Sequence, residues 1–130
     1  MKQPWTMTST DGMIPALGVG PAHPRSYGTF ARKLRVYAID RGVISVEQAI
    51  RSASGLTAQV FGITDRGVIR PGAFADVIVF SPDKIRDVAT YLQPHAYAEG
   101  MDYVFINGQP AIWAGAAAPE RYGRVLKPRR

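Results

Sequence analysis

The chain has 130 residues, 46% of them apolar, with 16 Lys and Arg against 10 Asp and Glu and no cysteine. That length fits one globular domain or one piece of a larger one. The lack of cysteine excludes a disulfide framework, thiolate chemistry and a cysteine zinc site, and the two histidines cannot alone fill a four-ligand zinc site.

The net charge of +6 is concentrated at the end, where Arg121, Arg124, Lys127, Arg129 and Arg130 occur without an acid, so that residues 1–120 carry 11 basic and 10 acidic side chains. Such an end reads as a solvated, frayed terminus rather than a phosphate-binding arm, and no nucleic-acid partner is expected. No stretch approaches the roughly 20 apolar residues of a membrane span. The opening Met1-Lys2-Gln3-Pro4-Trp5-Thr6 lacks the apolar run of a signal peptide. A cytoplasmic protein without a membrane partner is the expectation.

In chain order, residues 4–10 alternate bulky apolar with small hydroxyl residues and stop at Asp11-Gly12, which predicts a short strand ending in a turn. Residues 13–28 hold three glycines and three prolines, too broken for a regular element and long enough for a functional loop. Phe30, Leu34, Tyr37 and Ala38 then recur at helical spacing, with Arg32, Lys33 and Arg35 between them and Gly42 at the place of a left-handed C-terminal cap. Ser45-Val46-Glu47-Gln48 has the form of a capping box, and Val46, Ala49, Ile50 and Ala53 supply the stripe of a second helix that Gly55 ends. Thr57 to Phe61 make one further turn closed by Gly62. Beyond it, Val68-Ile69-Arg70 and Ala75 to Phe80 read as two strands around Pro71-Gly72. Val77 to Phe80 is apolar on both faces and calls for cover on both. Tyr103 to Ile106, Asn107-Gly108 and Gln109 to Trp113 predict a type I′ hairpin, because Asn-Gly supplies its two positive φ angles. Pro110 makes the second hairpin strand an edge or a bulged one.

The chemical inventory read from residues alone is short. Asp11 follows a predicted strand end, where barrel enzymes place catalytic carboxylates, and Asp-Gly is equally one of the commonest turn pairs. His23 and Arg25 flank Pro24 and can bind an anion or simply anchor a loop by hydrogen bonds. His95, after Pro94, reads as a surface or capping residue rather than a ligand. Ser9 and Thr10 show no nucleophile elbow, and Asp65, Asp76, Asp83 and Asp87 form no calcium-loop pattern.

The stretch from Asp65 to Phe80, with Gly67, Ile69, Gly72 and Ala75-Asp76 in place, resembles the signature near the C-terminus of metal-dependent amidohydrolases. Asp11-Gly12, His23-Pro24-Arg25 with Tyr27-Gly28-Thr29-Phe30, Tyr97 to Gly108 and Gly123 to Leu126 resemble the C-terminal part of the D-aminoacylases, the N-acyl-D-amino-acid deacylases. The resemblance implies an α/β fold: the last strand and helices of a (β/α)8 barrel in residues 1–62, then the C-terminal strands of a small β-sandwich with a basic tail in 63–130. It implies a longer parent that hydrolyses a small-molecule N-acyl-D-amino acid with one or two zinc ions held mostly upstream. Asp11 matches the family aspartate that contacts the metal centre and moves the proton. His23 and Arg25 match a motif at the mouth of the site and are the substrate-binding candidates. Thr10 stands where the family usually has Ser, and Thr57-Ala58 where it often has Pro-Ala. The expected partner is the missing barrel portion, or a second copy through exposed strand edges. Two rival readings are a non-catalytic module that adds a strand near Asn107-Gly108 and a basic-tailed nucleic-acid binder.

Overall fold

The computed structural model describes residues 1–127. Helix α1 spans Arg25–Arg32 and continues without a break into a π-helix, Lys33–Asp40. Pro24 starts α1, a position where its missing N–H costs nothing. The helix buries Gly28 and Ala31. A Cβ at Gly28 would meet the Asp87 Cβ at 2.7 Å, so only glycine lets the 81–100 segment lie this close. The widened turns of the π-helix are visible in the Arg41 N–H, which reaches the Val36 carbonyl five residues back at 3.1 Å. The Arg35–Asp40 ion pair at 2.8 Å uses the same spacing. The single α-helix expected across this stretch is therefore two helical forms, and the change of period leaves Phe30 exposed while Leu34 and Ala38 face inward.

Gly42, at φ +55°, closes the π-helix as expected. Helix α2, Val46–Ala53, begins with the predicted cap, the Gln48 N–H donating to Ser45 Oγ at 3.1 Å. Ala49 packs with Ala38 and Ile44 into a small core, with Leu34, Val43 and Val46 against it. Ser54, rather than Gly55, breaks the helix, and Gly55 opens helix α3, Gly55–Val60.

Two predicted strands do not form. Residues 4–10 run along α2 instead: the Thr8 N–H donates to the Ser52 carbonyl at 2.8 Å, and the Gln48 and Arg51 side chains hold the Lys2 and Pro4 carbonyls. A strand exists only beside another strand, and no strand flanks this segment among the described residues. Val68 to Arg70 likewise stays irregular, although the turn at Pro71-Gly72 forms, with the Ala73 N–H on the Arg70 carbonyl at 3.2 Å.

The second half folds into an antiparallel sheet in the order β1 (Val77–Phe80), β2 (Met101–Ile106), β3 (Gln109–Trp113), β4 (Ala116–Ala117). Asn107 at φ +53° and Gly108 at φ +80° make the predicted turn. The register slips where Phe105 meets Pro110, so the proline falls at a bulge. Ala114-Gly115 turn the chain into β4, which sequence reading did not anticipate. Ile78 and Val79 point to opposite faces of β1 and are 56% and 43% exposed, so the strand that calls for cover on both faces is open on both. Between β1 and β2 the chain returns to the helices, with Ile85 fully buried and Arg86 bridged to Glu99. No helix among the described residues is long and apolar enough to cross a membrane.

Candidate active-site segment

Asp11 and Arg25, fourteen residues apart in sequence, meet at 2.7 Å. The contact depends on how the first turn of α1 is held. The His23 Nδ1 accepts the Arg25 N–H at 3.0 Å, a side-chain cap on a helix whose Pro24 offers none. The Thr29 hydroxyl donates to the Arg25 carbonyl at 2.7 Å, and the Thr10 hydroxyl lies 3.0 Å from that of Thr29. Thr10 Oγ1 also accepts the Gly12 N–H at 3.0 Å, which bends the chain at Asp11. Thr10 thus supplies the hydroxyl that this turn uses. The Asp11 side chain itself is 89% exposed.

Beside this pair lies a cleft of about 570 Å³ bordered by His23, Arg25, Arg32, Lys33, Asp87 and Tyr91. Arg32 is paired with Asp87 at 2.9 Å, and the His23 ring meets Tyr91 edge-on at 5.1 Å. Lys33, only 7% exposed, bonds the hydroxyls of Thr8 and Ser52. Burial lowers its ammonium below the usual lysine range. Its place among Arg32 and Arg35 makes it look like one more solvated charge. The small partners at Thr8 and Ser52 that draw it inward carry no sequence signal linking them to it.

A second buried cation escaped the sequence reading. Arg66 bonds Asp76 and the Asn107 side-chain oxygen, and its guanidinium lies 4.3 Å from the centre of the Phe74 ring. Arg124 covers the same ring at 4.1 Å, and the Asn107 side-chain amide donates to the Tyr122 carbonyl at 2.6 Å. Residues 121–127 are therefore not wholly a frayed end; the expectation for residues 128–130 lies outside the described residues. The same contacts, with the Gly108 N–H on the Ala75 carbonyl at 2.9 Å, tie the hairpin turn to the loop before β1 and to the 121–127 segment. Burial alone would raise the Asp76 carboxyl, but the Asn107 N–H, the Arg66 bond and charge, and the Arg124 charge together outweigh it and hold it below the usual range.

The structure brings Asp11, His23 and Arg25 to one turn but does not bring them together as metal ligands. Among the described residues no group of three or more His, Cys, Asp or Glu side chains could hold an ion. His95 lies elsewhere, with both ring nitrogens engaged by Gly18, Gly20 and Tyr27. The residues present do not fit a zinc centre by themselves.

A model of the amidohydrolase family matches residues 1–112. A D-aminoacylase of Alcaligenes xylosoxydans xylosoxydans is 42% identical over 104 residues, which are 80% of this chain and 22% of the relative. An N-acyl-D-aspartate deacylase of the same organism is 38% identical over 107 residues, 82% of this chain and 21% of the relative. A solved D-aminoacylase superposes with a TM-score of 0.78 at 39% identity, over 82% of this chain and 22% of its own. An N-acyl-D-glutamate deacylase from Bordetella bronchiseptica, complexed with zinc and a phosphonate inhibitor, gives 0.68 at 41% identity, over 69% and 19%. The chain spans about a fifth of the length of the relatives it matches. With the family model covering most of its residues, the chain belongs to the amidohydrolase family.

Proposed function

We propose that this chain is the C-terminal segment of a zinc-dependent, cytoplasmic amidohydrolase that cleaves N-acyl-D-amino acids to a carboxylate and a D-amino acid. One observation carries the reading: the curated relatives that match four fifths of the chain are a D-aminoacylase and the N-acyl-D-aspartate and N-acyl-D-glutamate deacylases. Residues 1–62 then supply the last barrel strand, a loop and helices, and residues 63–130 the C-terminal share of a sandwich. Residues 4–10, which lack a strand partner here, become a strand once neighbouring barrel strands lie beside them. The bare faces of Ile78 and Val79 support a covering layer supplied by the rest of the parent.

Amide hydrolysis needs a base to take a proton from the attacking water and an acid to return it to the departing amine. Asp11 fits both tasks, because its carboxylate is exposed and held by a single guanidinium that fixes its direction. Arg25 keeps donors free for the carboxylate of an N-acyl amino acid, and His23 caps the turn that carries Arg25. Zinc, in this reading, is held by residues outside the chain, and it would supply polarisation of the amide carbonyl.

The test is Asp11→Asn in the full-length protein. Turnover of N-acetyl-D-methionine should fall by about two to four orders of magnitude with zinc content kept. Turnover within about threefold of the parent removes Asp11 from the chemistry. The 130-residue chain alone should bind no stoichiometric zinc, hydrolyse no N-acyl amino acid and self-associate in light scattering, since an open zinc site needs about three protein ligands. An active, zinc-bearing monomer would overturn the segment reading.

A further inference from the structure

We propose that His95 is a positioning residue for the Arg25 end of the site: its neutral imidazole fastens the loop between Asp11 and Arg25 to the first turn of α1. Residues 13–22 contain only Met, Ile, Pro, Ala, Leu, Gly and Val, so the loop has no polar side chain with which to anchor itself. Its backbone is its only handle. Among the described residues, the hydrogen bonds that leave this loop both end on His95. The Gly18 N–H donates to Nδ1 at 3.1 Å, and Nε2 lies 2.8 Å from the Gly20 carbonyl.

These partners fix the protonation state of the ring. A carbonyl only accepts, so Nε2 must carry the hydrogen; an amide N–H only donates, so Nδ1 must be bare. Nδ1 also meets the Tyr27 hydroxyl at 2.9 Å, which completes the bridge, because Tyr27 lies two residues beyond Arg25 in the opening turn of α1. Gly18 and Gly20 sit at φ +76° and +69° with open space where a Cβ would be. They serve the backbone shape that turns one N–H and one C=O toward the same ring, not a close approach. Tyr27 also packs edge-on against the His95 ring, at 5.8 Å between centres, and against Tyr97, at 5.5 Å. Two chain segments, the loop and the first turn of α1, thus meet on one imidazole, and the loop that joins Asp11 to Arg25 is tied there to the helix that carries Arg25.

The inference rests on the deacylase reading for its effect on catalysis but not for its effect on the loop, and the experiment separates the two. In the full-length protein, His95→Phe keeps a ring and removes every hydrogen bond, while His95→Gln keeps one donor and one acceptor. His95→Phe should speed hydrogen exchange in residues 13–22 and raise KM for N-acetyl-D-methionine about ten- to hundredfold, the range for a misplaced binding group, with kcat within about threefold. His95→Gln should recover part of both. Wild-type protein without hydrolysis would sink the deacylase reading and leave the exchange result standing as the test of the anchor. Unchanged exchange in His95→Phe, or faster exchange with unchanged KM in an active enzyme, overturns the positioning role. Where neither variant folds, the ¹⁵N shifts of the wild-type imidazole decide: a protonated Nε2 beside a bare Nδ1 supports the anchor, and a protonated Nδ1 refutes it.

Discussion

Arg66 and Lys33 are both buried cations, one in each half of the chain, and their surroundings differ in kind. Arg66 meets a carboxylate, a side-chain amide oxygen and an aromatic face, and two of its three nitrogens are bonded while the buried Nε is not. Lys33 meets two hydroxyls. The difference shows where the segment is electrostatically self-sufficient. In the second half the loop before β1, the hairpin turn and the tail are drawn onto one guanidinium, and the carboxylate that balances it comes from the same chain. In the first half Lys33 has only neutral partners, beside a cleft whose other cations, Arg25 and Arg32, are paired with Asp11 and Asp87.

The comparison predicts the largest loss of stability at Arg66. Replacing it with Met leaves the Asp76 carboxylate partly buried without its guanidinium and strips Asn107 of a donor. Breaking a buried pair from one side costs about 3–5 kcal/mol, discounted here toward about 2–3 because Asp76 is a third exposed. A fall in the urea midpoint worth less than about 1 kcal/mol would break the contrast between the two cations.

A smaller effect follows from pH. The Asp76 carboxyl is held below its usual range in the folded state. Its contribution is therefore complete above the ordinary aspartate value of about 3.9 and is lost as pH falls through the lower folded value. Stability measured from pH 5 downward should drop in the parent and drop less in Asp76→Asn. Equal slopes would show that the Arg66 cluster does not carry the acid sensitivity.

These clusters also mark what the sequence could and could not disclose. The capped helix at Ser45 and the Asn107-Gly108 turn were legible because each is decided by residues within four positions of one another. The helix from Phe30 was legible as helix but not as π-helix, since its hydrogen-bond shift leaves no compositional mark. Residues 4–10 and Val68 to Arg70 have strand composition and no strand, because pairing requires a neighbour that composition does not supply. Asp11, His23 and Arg25 were legible as candidates through resemblance. Their convergence on one turn through Thr10 and Thr29 was not, and neither were the inward turn of Lys33 and the grip of His95, each of which spans long sequence distances.

At Lys33 the expected change is slight and of opposite sign. An ammonium whose pKa is lowered by burial binds its proton less well folded than unfolded, so stability should rise with pH between the folded value and the ordinary lysine value of about 10.4. Lys33→Met removes the desolvated charge, keeps much of the stem's volume and leaves Ser52 its bonds to the Gln48 and Ala49 carbonyls. The variant should unfold within about 1 kcal/mol of the parent, on the stable side, and lose the alkaline rise. A cost near that of Arg66→Met would mean that the hydroxyl partners suffice and that the two halves do not differ.

The smallest stability effect belongs to Asp11, and it sharpens the comparison most. Its pair with Arg25 is short, but the carboxylate is almost fully in solvent, where ion pairs are screened and contribute little. The local turn does not depend on the charge: Thr10 Oγ1 takes the Gly12 N–H, His23 Nδ1 takes the Arg25 N–H, and Thr29 takes hold of the Arg25 carbonyl. An asparagine at position 11 keeps the size and the hydrogen-bonding oxygen and loses only the negative charge and the ability to accept a proton at neutral pH. Asp11→Asn should therefore leave the denaturation midpoint of the full-length protein unchanged within error while turnover falls by orders of magnitude. A clear shift in the midpoint, with activity falling in proportion, would place Asp11 with Arg66 among residues that hold the fold. An unshifted midpoint beside a large loss of turnover assigns the carboxylate to the reaction.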